Sequence, residues 1–332
     1  IVGELRAQNL HVISHEYPVI HPDAAQWAES QKQGFTIADG YPLVVPQSRP
    51  STSFFEGQRM IDFENPAAGR WWWGAHASLV ADGVDGWWLD GGEGPTEPAV
   101  LKRPGGEALH NRFDLFRHQA FAEGEARDNP GRRPYLLCRS GGAGMQRFGA
   151  GVWSGDINNT WAVFEAQSTL GLNMGLSGVP LWGTDIGGFY PTVTPQSAEL
   201  FVRWFQFGAF NPVFRSHGGV WRNHTPWGYG GEIEQICRDV LELRYRLTPY
   251  TYTLAHQAMT TGLPYMRALA LNYAGDPEAR DRAAEFLWGD DILVSPVTRP
   301  GVRQWPVYLP RGDAWYDYWT GERHEGGAFV LA

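Results

Sequence analysis

Four strand-like stretches of this sequence each end on a charged residue, and helical stretches alternate with them. Apolar runs such as VDGWWLD and VPLWGTDIGG lead into these residues, which are Asp90, Arg139, Asp156 and Asp185. Helical patterns lie between or after the runs, over residues 67–80, 161–170, 199–210 and 233–259. The sequence therefore predicts an α/β protein.

A polar residue at the carboxyl end of each strand is typical of the (β/α)8 TIM barrel, whose active site is built from those ends. Residues 5–20 predict a further strand, stopped at Pro18, and LPYMRALALNY predicts the last one. This gives about six strands where a whole barrel has eight. Ile1 begins in mid-helix, so we predict a barrel that is incomplete at its N-terminus, with its first strands upstream of Ile1.

The pattern changes after about residue 285. DDILVSPV, QWPVYLP and AWYDYW are short alternating runs separated by Pro, Gly and Asp. Such runs are typical of antiparallel strands. We predict a partial catalytic barrel over 1–284 and the start of a C-terminal β-sandwich over 285–332.

The first motif with chemical content is GWWLDGGEG, residues 86–94. Asp90 follows an aromatic strand and precedes two glycines, where a carboxylate serves as a nucleophile, a metal ligand or a helix cap. A cap is the usual role of Asp after a strand, but GGEGP is a poor start for a helix. Glu93 either orients Asp90 or faces solvent.

The second motif, CRSGGAGMQRFGAGVWSGD, carries Arg139 at one strand end and Asp156 at the next. Trp88 and Trp153 stand just before the two acids. Glycoside hydrolysis needs one carboxylate at the anomeric carbon and one protonated carboxyl at the leaving oxygen. Apolar walls and a neighbouring carboxylate would raise the pKa of the acid. Arg139 either binds a sugar hydroxyl and keeps Asp90 ionised, or forms a structural ion pair.

The third cluster joins GTDIGGF, which contains Asp185, to FRSHGG, which contains His217. Most histidines in a protein are structural, and we hold that interpretation for most of the 10 here. His217 is the exception, since it lies close to Arg215 and next to Gly218 on the predicted catalytic face.

Composition narrows the possible partners. The net charge is −9 without a basic stripe, which argues against nucleic acid. The aromatic content of 14% suits sugar stacking and equally a large core. Cys138 and Cys237 make neither a disulfide framework nor a zinc site. We expect no metal or other cofactor, because no HExxH or EF-hand pattern occurs.

No membrane partner is expected, since no apolar run reaches membrane-spanning length and no signal peptide is present, and a cytoplasmic location is favoured. The oligomeric state is not indicated.

At these motifs the sequence resembles glycoside hydrolase family 31, the α-glucosidase and α-xylosidase family. WLDGGE resembles the family's nucleophile motif, and RSGGAGMQRFGAGVWSGD resembles the block from a sugar-binding arginine to the acid/base. GLSGVPLWGTDIGGF, FRSHG and FLWGDDILVSPV resemble three further blocks. The resemblance runs over nearly the whole chain.

The resemblance implies a retaining, exo-acting α-glycosidase that acts on an oligosaccharide or another α-glycoside, with Asp90 as nucleophile and Asp156 as general acid/base. It implies that Arg139 and His217 bind the hydroxyls of the −1 sugar. It also implies that three aromatic residues form the walls of that subsite: Trp88, Trp153 and Phe189. Asp185 either supports the subsite or is a core acid paired with Arg139.

Three departures from the family concern the substrate. The early strand carries Ser14, His15 and Glu16, where the family has an aliphatic or Trp-containing run. His15 is therefore a candidate contact for a hydroxyl of different configuration. The nucleophile motif also continues as GEGP, unlike the commoner ending, and the family's upstream substrate-binding Asp has no match.

Four alternatives stay open. Within the same family the protein could be an α-transglycosylase or an α-galactosidase-type enzyme. From another class, it could be a non-catalytic carbohydrate-binding barrel, although such a protein would not need both acids and Arg139. A metal-dependent hydrolase would use Asp90, Glu93 and His217 as ligands.

Overall fold

The computed structural model describes residues 1–39, 57–94, 106–133, 135–190, 192, 197–219 and 224–332. The chain divides into two compact units, Ile1–Val152 and Trp153–Ala332. Each unit carries one of the two carboxylates predicted to be catalytic, Asp90 in the first and Asp156 in the second.

The first unit has seven strands among its described residues. They are β1 (Ile13–Glu16), β2 (Val19–Ile20), β3 (Thr36–Asp39), β4 (Arg59–Ile61), β5 (Gly86–Leu89), β6 (Leu136–Cys138) and β7 (Ala150–Trp153), which ends on the first residue of the second unit. Its helices in the same part of the chain are α1 (Val2–Arg6), α2 (Trp27–Lys32), α3 (Pro66–Ala75), α4 (Ala77–Asp82) and α5 (Gly106–Asp128). A short 3-10 helix covers Met145–Phe148.

Strands β1, β5, β6 and β7 pair in parallel in that order. The register places His15 opposite Trp88 and Leu89 opposite Cys138. Since the strands are parallel, their carboxyl ends lie along one edge, and Asp90 and Arg139 follow at that edge. The predicted strands leading to these two residues are confirmed.

Three features of this unit were not predicted. The strand predicted to stop at Pro18 ends at Glu16, and β2, β4 and β3 form a small antiparallel sheet of their own. The helix predicted over 67–80 is divided at His76, whose ψ of 1° is not helical. The 23-residue helix α5 was also missed, because its many charged residues weaken the apolar periodicity on which a helix prediction depends.

The second unit has nine strands among its described residues. They are β8 (Trp182–Ile186), β9 (Val213–Ser216), β10 (Met266–Ala268), β11 (Phe286–Trp288), β12 (Ile292–Val294), β13 (Pro306–Leu309), β14 (Ala314–Tyr316), β15 (Arg323–Glu325) and β16 (Ala328–Leu331). The helices are α6 (Trp161–Leu176), α7 (Ala198–Gly208), α8 (Gly231–Arg246), α9 (Thr248–Thr261), α10 (Leu269–Asn272) and α11 (Pro277–Arg280). A 3-10 helix covers Pro226–Tyr229.

Strands β8 and β9 are parallel, with Asp185 opposite Arg215. The strand β9 was not predicted, since four residues are too short to show an alternating pattern. LPYMRALALNY, predicted as the last barrel strand, instead contains β10, which pairs antiparallel with β11. That prediction was wrong. The long helix predicted over 233–259 is divided at Leu247, because Pro249 has no N–H to continue the hydrogen-bond ladder.

The C-terminal residues form antiparallel pairs, as predicted from their short alternating runs. Strands β10, β11 and β12 make one sheet, β13 pairs with β16, and β14 pairs with β15. Leu269, Leu287 and Tyr308 are buried together beneath these strands. A domain boundary between 284 and 285 stays a prediction.

None of the described helices is both long enough and apolar enough to cross a membrane.

Candidate active site

A first group of predicted site residues is built on the carboxyl end of β5. Asp90 directly follows Leu89, and its backbone N–H donates to the carbonyl of Glu16 at the end of β1 (2.9 Å). Gly91 has a φ of 63°, which glycine adopts without strain. A Cβ on Gly92 would lie 2.0 Å from both carboxylate oxygens of Asp114. The two glycines of the motif therefore permit a turn and a close approach at the predicted nucleophile.

The Asp90 carboxylate is held on both oxygens, and its side chain is only 8% exposed. His15 Nε2 lies 3.0 Å from Oδ2, while Arg139 lies 3.3 Å from Oδ1. The N–H of Gly91 donates to Oδ1 at 2.8 Å, and Tyr17 also hydrogen-bonds this carboxylate. The arrangement fixes the orientation of the carboxylate and surrounds it with donors.

These donors set the charge of Asp90. Burial raises the pKa of the carboxyl group, but the hydrogen bond from His15 and the positive charge of Arg139 outweigh burial and lower the pKa to about 2. Asp90 is therefore ionised at neutral pH. An ionised carboxylate is the form that a nucleophile of glycoside hydrolysis requires.

Arg139 lies at the end of β6 and bridges two acids. Its Nε is 2.6 Å from Glu93, and its other contact is the 3.3 Å pair with Asp90. The positive charge of Arg139 is one of the causes that lower the pKa of Asp90. Glu93, for which the sequence left orientation or solvent exposure open, pairs with Arg139 and is also 44% exposed.

Trp88 and His15 lie side by side on neighbouring strands. Their ring centroids are 4.4 Å apart at an interplanar angle of 60°, an edge contact that aromatic rings favour. The structure thus brings together four of the predicted site residues in the first unit, which are His15, Trp88, Asp90 and Arg139.

A buried ionic network supports these strand ends from below, and it was not predicted. Arg117 of α5 has no exposed surface, and its Nε donates to the Glu16 carboxylate at 2.9 Å. Its guanidinium also donates to the main-chain carbonyls of Glu16 and Asp90, both at 2.9 Å. Asp114 lies 3.3 Å from the guanidinium and accepts a 2.6 Å hydrogen bond from Ser140. Burial lowers the pKa of Arg117, but the negative charges of Glu16 and Asp114 raise it beyond its ordinary value.

A second group of predicted site residues surrounds Asp156, three residues beyond the end of β7. Gly155 before it has a φ of 76°. The hydroxyl of Tyr190 donates to Asp156 Oδ2 at 3.4 Å. The N–H groups of Phe189 and Tyr190 both donate to the carbonyl of Ile157, at 2.7 and 2.9 Å. The loop after β8 is thus tied to the loop that carries Asp156.

Asp185 lies within β8 and has no exposed surface, so it does not stand at the very end of the strand. Arg215 of β9 pairs with its carboxylate at 2.5 Å. The same guanidinium lies 4.9 Å from the centre of the Trp153 ring, a cation–π distance. Arg215 therefore joins two predicted site residues, although the sequence marked it only as a neighbour of His217.

Phe189 and His217 are also brought together. Their ring centroids are 5.5 Å apart, and the N–H of Gly219 donates to the carbonyl of Phe189 at 3.3 Å. A Cβ on Gly188 would lie 2.7 Å from the backbone of Asn159, so only glycine permits this loop to pass so closely. The second unit thus contains the remaining predicted site residues in two sets of contacts. One set joins Trp153 and Asp185 through Arg215, and the other joins Asp156, Phe189 and His217 around the loop after β8.

Among the described residues, no three His, Cys, Asp or Glu side chains are grouped so that they could hold a metal ion. The carboxylate of Asp90 instead has protein donors on both oxygens.

Comparison with known proteins shows which family the chain belongs to. Residues 1–254 match the model of the glycosyl hydrolases family 31 TIM-barrel domain, and residues 262–331 match that of the glycosyl hydrolase family 31 C-terminal domain. The chain belongs to glycoside hydrolase family 31. The resemblance on which the sequence analysis drew is confirmed, and so is the fold class, a partial TIM barrel followed by a C-terminal domain with antiparallel sheets.

Curated family 31 relatives include enzymes of two specificities. The chain is 38% identical over 260 residues to an alpha-xylosidase of Saccharolobus solfataricus, covering 75% of this chain and 35% of that protein. It is 35% identical over 283 residues to alpha-glucosidase 2 of Bacillus thermoamyloliquefaciens, covering 81% and 35%. The chain therefore spans about a third of the length of these relatives.

Solved family 31 structures share the fold. A Flavobacterium johnsoniae GH31 dextranase complexed with glucose superposes with a TM-score of 0.90 at 32% identity, covering 100% of this chain and 42% of that one. A GH31 alpha-xylosidase from a soil metagenome complexed with xylose has a TM-score of 0.87 at 32% identity, covering 99% and 52%.

Proposed function

We propose that this chain carries the catalytic domain of a retaining α-glycosidase, with Asp90 as nucleophile and Asp156 as general acid/base. The observation that carries the proposal is the state of Asp90. Its carboxylate follows β5, is held by His15 and Arg139, and has a pKa of about 2. Membership of family 31 supports the assignment of both acids.

In the first step, an oxygen of Asp90 attacks the anomeric carbon of an α-glycoside. The bond to the leaving oxygen breaks, and Asp156 donates its proton to that oxygen. The product of this step is a glycosyl-enzyme ester of β configuration. Asp90 needs its negative charge for this step, and the donors around it maintain that charge.

In the second step, Asp156 removes a proton from water, and the water oxygen attacks the anomeric carbon. The ester bond breaks, and its electron pair returns to the Asp90 carboxylate. Two inversions give net retention, so the sugar is released as the α-anomer.

The other predicted residues are proposed to bind the −1 sugar. Arg139 and His217 would donate to its hydroxyls, and Asp185 would orient Arg215. The aromatic walls would be formed by Trp88, Trp153 and Phe189. His15 is proposed to lie at the same subsite, where it already touches the nucleophile.

The first substrates to test are α-glucosides and α-xylosides. The relatives described above carry the names alpha-xylosidase, alpha-glucosidase and dextranase. A panel of 4-nitrophenyl α-glycosides of glucose, xylose and galactose would identify the accepted sugar. Incubation with maltose or isomaltose, followed by analysis for longer oligosaccharides, separates hydrolysis from transglycosylation.

Azide rescue distinguishes the two acids. Asp90→Gly removes the nucleophile, so azide should enter from the opposite face and give a β-glycosyl azide. Asp156→Gly keeps the nucleophile, so azide should attack the ester and give an α-glycosyl azide. Asp85→Asn, at the other end of β5, is the matched control and should keep near wild-type turnover. Full activity in Asp90→Gly, or release of the β-anomer by the wild-type protein, would refute the proposed function.

A further inference from the structure

His15 makes a direct contact with the reacting carboxylate. Its Nε2 is 3.0 Å from Asp90 Oδ2, and its ring makes edge contacts with the rings of Trp88 and Tyr17, at centroid distances of 4.4 and 4.7 Å. The pair of aromatic contacts fixes the plane of the imidazole. The Nε2 atom is therefore aimed at Oδ2 before any substrate binds.

The proton in this contact belongs to the histidine. Asp90 is ionised, since its pKa is about 2, and an ionised carboxylate can only accept. His15 Nε2 must then carry the hydrogen. The other carboxylate oxygen, Oδ1, is already occupied by the N–H of Gly91 and by Arg139.

We propose that His15 is a catalytic residue of the second displacement, in which it stabilises the Asp90 carboxylate as that group leaves the sugar. This inference rests on the proposed function. It assigns to His15 a role in the departure of the enzyme's own carboxylate, beyond a contact with a substrate hydroxyl.

The chemistry of the two steps explains the direction of the effect. In the glycosyl-enzyme, Asp90 is a neutral ester; when water attacks, the C–O ester bond breaks and both of its electrons return to the carboxylate. The proton of the water goes to Asp156. Hydrogen bonds to a charged acceptor are stronger than those to a neutral one. The contact from His15 thus strengthens as the ester opens, and it lowers the barrier to deglycosylation.

The same contact does not help the first step. During attack on the substrate the carboxylate loses its charge, and the hydrogen bond from His15 weakens. Loss of the donor should therefore slow deglycosylation while leaving glycosylation nearly unchanged. A purely structural role for His15 would instead reduce both steps together, because a displaced Asp90 would be a poor nucleophile and a poor leaving group.

The test compares the two steps in His15→Ala with glycosyl fluorides, using whichever of α-glucosyl and α-xylosyl fluoride is turned over faster. Because kcat/KM reports glycosylation, it should stay within about threefold of wild type, while kcat falls about tenfold, as expected for loss of a hydrogen bond to a charged group. Intact-protein mass spectrometry of quenched reactions should show a larger fraction of glycosyl-enzyme. His15→Gln, whose amide N–H can reach the same position, should restore kcat to within about threefold of wild type.

His11→Ala is the matched control, since His11 contacts Asp85 at the other end of β5 and its side chain is 84% exposed. That variant should behave as wild type. Equal losses of kcat and kcat/KM in His15→Ala, without accumulation of glycosyl-enzyme, would overturn the role of His15. The ester is mapped by peptide sequencing in the wild-type protein first. An ester on a residue other than Asp90 would refute the proposed function instead.

Discussion

Arg117 donates a 2.9 Å hydrogen bond to the main-chain carbonyl of Asp90, so a wholly buried cation holds the backbone of the proposed nucleophile. The same guanidinium binds both the carboxylate and the carbonyl of Glu16. The ends of β1 and β5 are thereby fixed to helix α5. The charge of Arg117 is balanced by Glu16 and Asp114, which are also buried.

Replacing Arg117 by Met should destabilise the protein by about 3–5 kcal/mol, because it leaves the carboxylates of Glu16 and Asp114 buried without their cation. Urea denaturation followed by tryptophan fluorescence measures the loss. Activity of the remaining folded protein should also fall, since the backbone at Asp90 loses a donor.

Arg112→Met is the control for this change. Arg112 lies on the same helix, and its ion pair with Glu64 is exposed, with 48% and 40% of the two side chains accessible. Exposed pairs contribute less than about 1 kcal/mol. If the two variants lost similar stability, the buried network would not stabilise these strand ends.

Gly92→Ala should also be destabilising. The added methyl group would lie 2.0 Å from both oxygens of Asp114, so either the loop after Asp90 must move or the Asp114 side chain must leave its contacts with Arg117 and Ser140. Overpacking of this kind costs about 1–3 kcal/mol. Thermal unfolding and kcat/KM should both show the change, because the loop carries the proposed nucleophile.

Gly142→Ala provides the comparison in the same unit. The nearest atom to its added Cβ is the carbonyl oxygen of Asn111, at an ordinary contact distance of 3.7 Å. We expect its unfolding free energy to stay within about 1 kcal/mol of wild type. A neutral Gly92→Ala would show that Asp114 is free to move.

The sequence predicted the parts of the fold that depend on local pattern. The strands before Asp90, Arg139 and Asp156 are apolar and end on a charged residue, and all three are present. Strand β9 was missed because Val213–Ser216 is short and ends on polar side chains. LPYMRALALNY was misassigned because an apolar run does not indicate its partner strand, and antiparallel pairing with β11 is a tertiary property.

The residues of the candidate site divide in the same way, into those with a local sequence pattern and those that depend on tertiary contacts. Asp90 and Arg139 were predicted because each stands at a strand end beside glycines. The contact between His15 and Asp90 joins residues 75 positions apart, and that between Arg117 and Glu16 joins residues 101 positions apart. Neither has a local signature. The polar run Ser14, His15, Glu16 was nevertheless recognised as unusual, and the structure gives two of its members defined partners.

Chelation should leave the activity unchanged. The carboxylate of Asp90 already receives hydrogen bonds from His15 and Gly91, and the proposed mechanism moves protons and a sugar between two acids. Dialysis against EDTA, followed by assay with and without added Mg²⁺, Ca²⁺ or Zn²⁺, measures this. A loss that a metal ion restores would favour the metal-dependent alternative that uses Asp90, Glu93 and His217.

Arg139→Gln should shift the acid side of the pH–activity profile. In the wild-type protein, the pKa of Asp90 is lowered from 3.8 to about 2, so Asp90 stays ionised at every pH above about 3. The charge of Arg139 is one cause of that shift, and burial opposes it. Without the charge, the pKa of Asp90 should rise, and kcat/KM should begin to fall at a higher pH than in wild type.

The lowered pKa of Asp90 also determines how the stability of the protein changes with pH. A lowered pKa in the folded state means that Asp90 stabilises the wild-type protein above a pH of about 4 and loses that contribution as the pH falls toward 2. Arg139→Gln should therefore reduce stability most near neutral pH, with the difference from wild type shrinking in acid. Arg147→Gln, which changes an exposed residue of the 3-10 helix that follows β6, should change neither profile. An unshifted acid limb in Arg139→Gln would show that His15 and the backbone donor keep Asp90 ionised without Arg139, which would then act on the substrate alone.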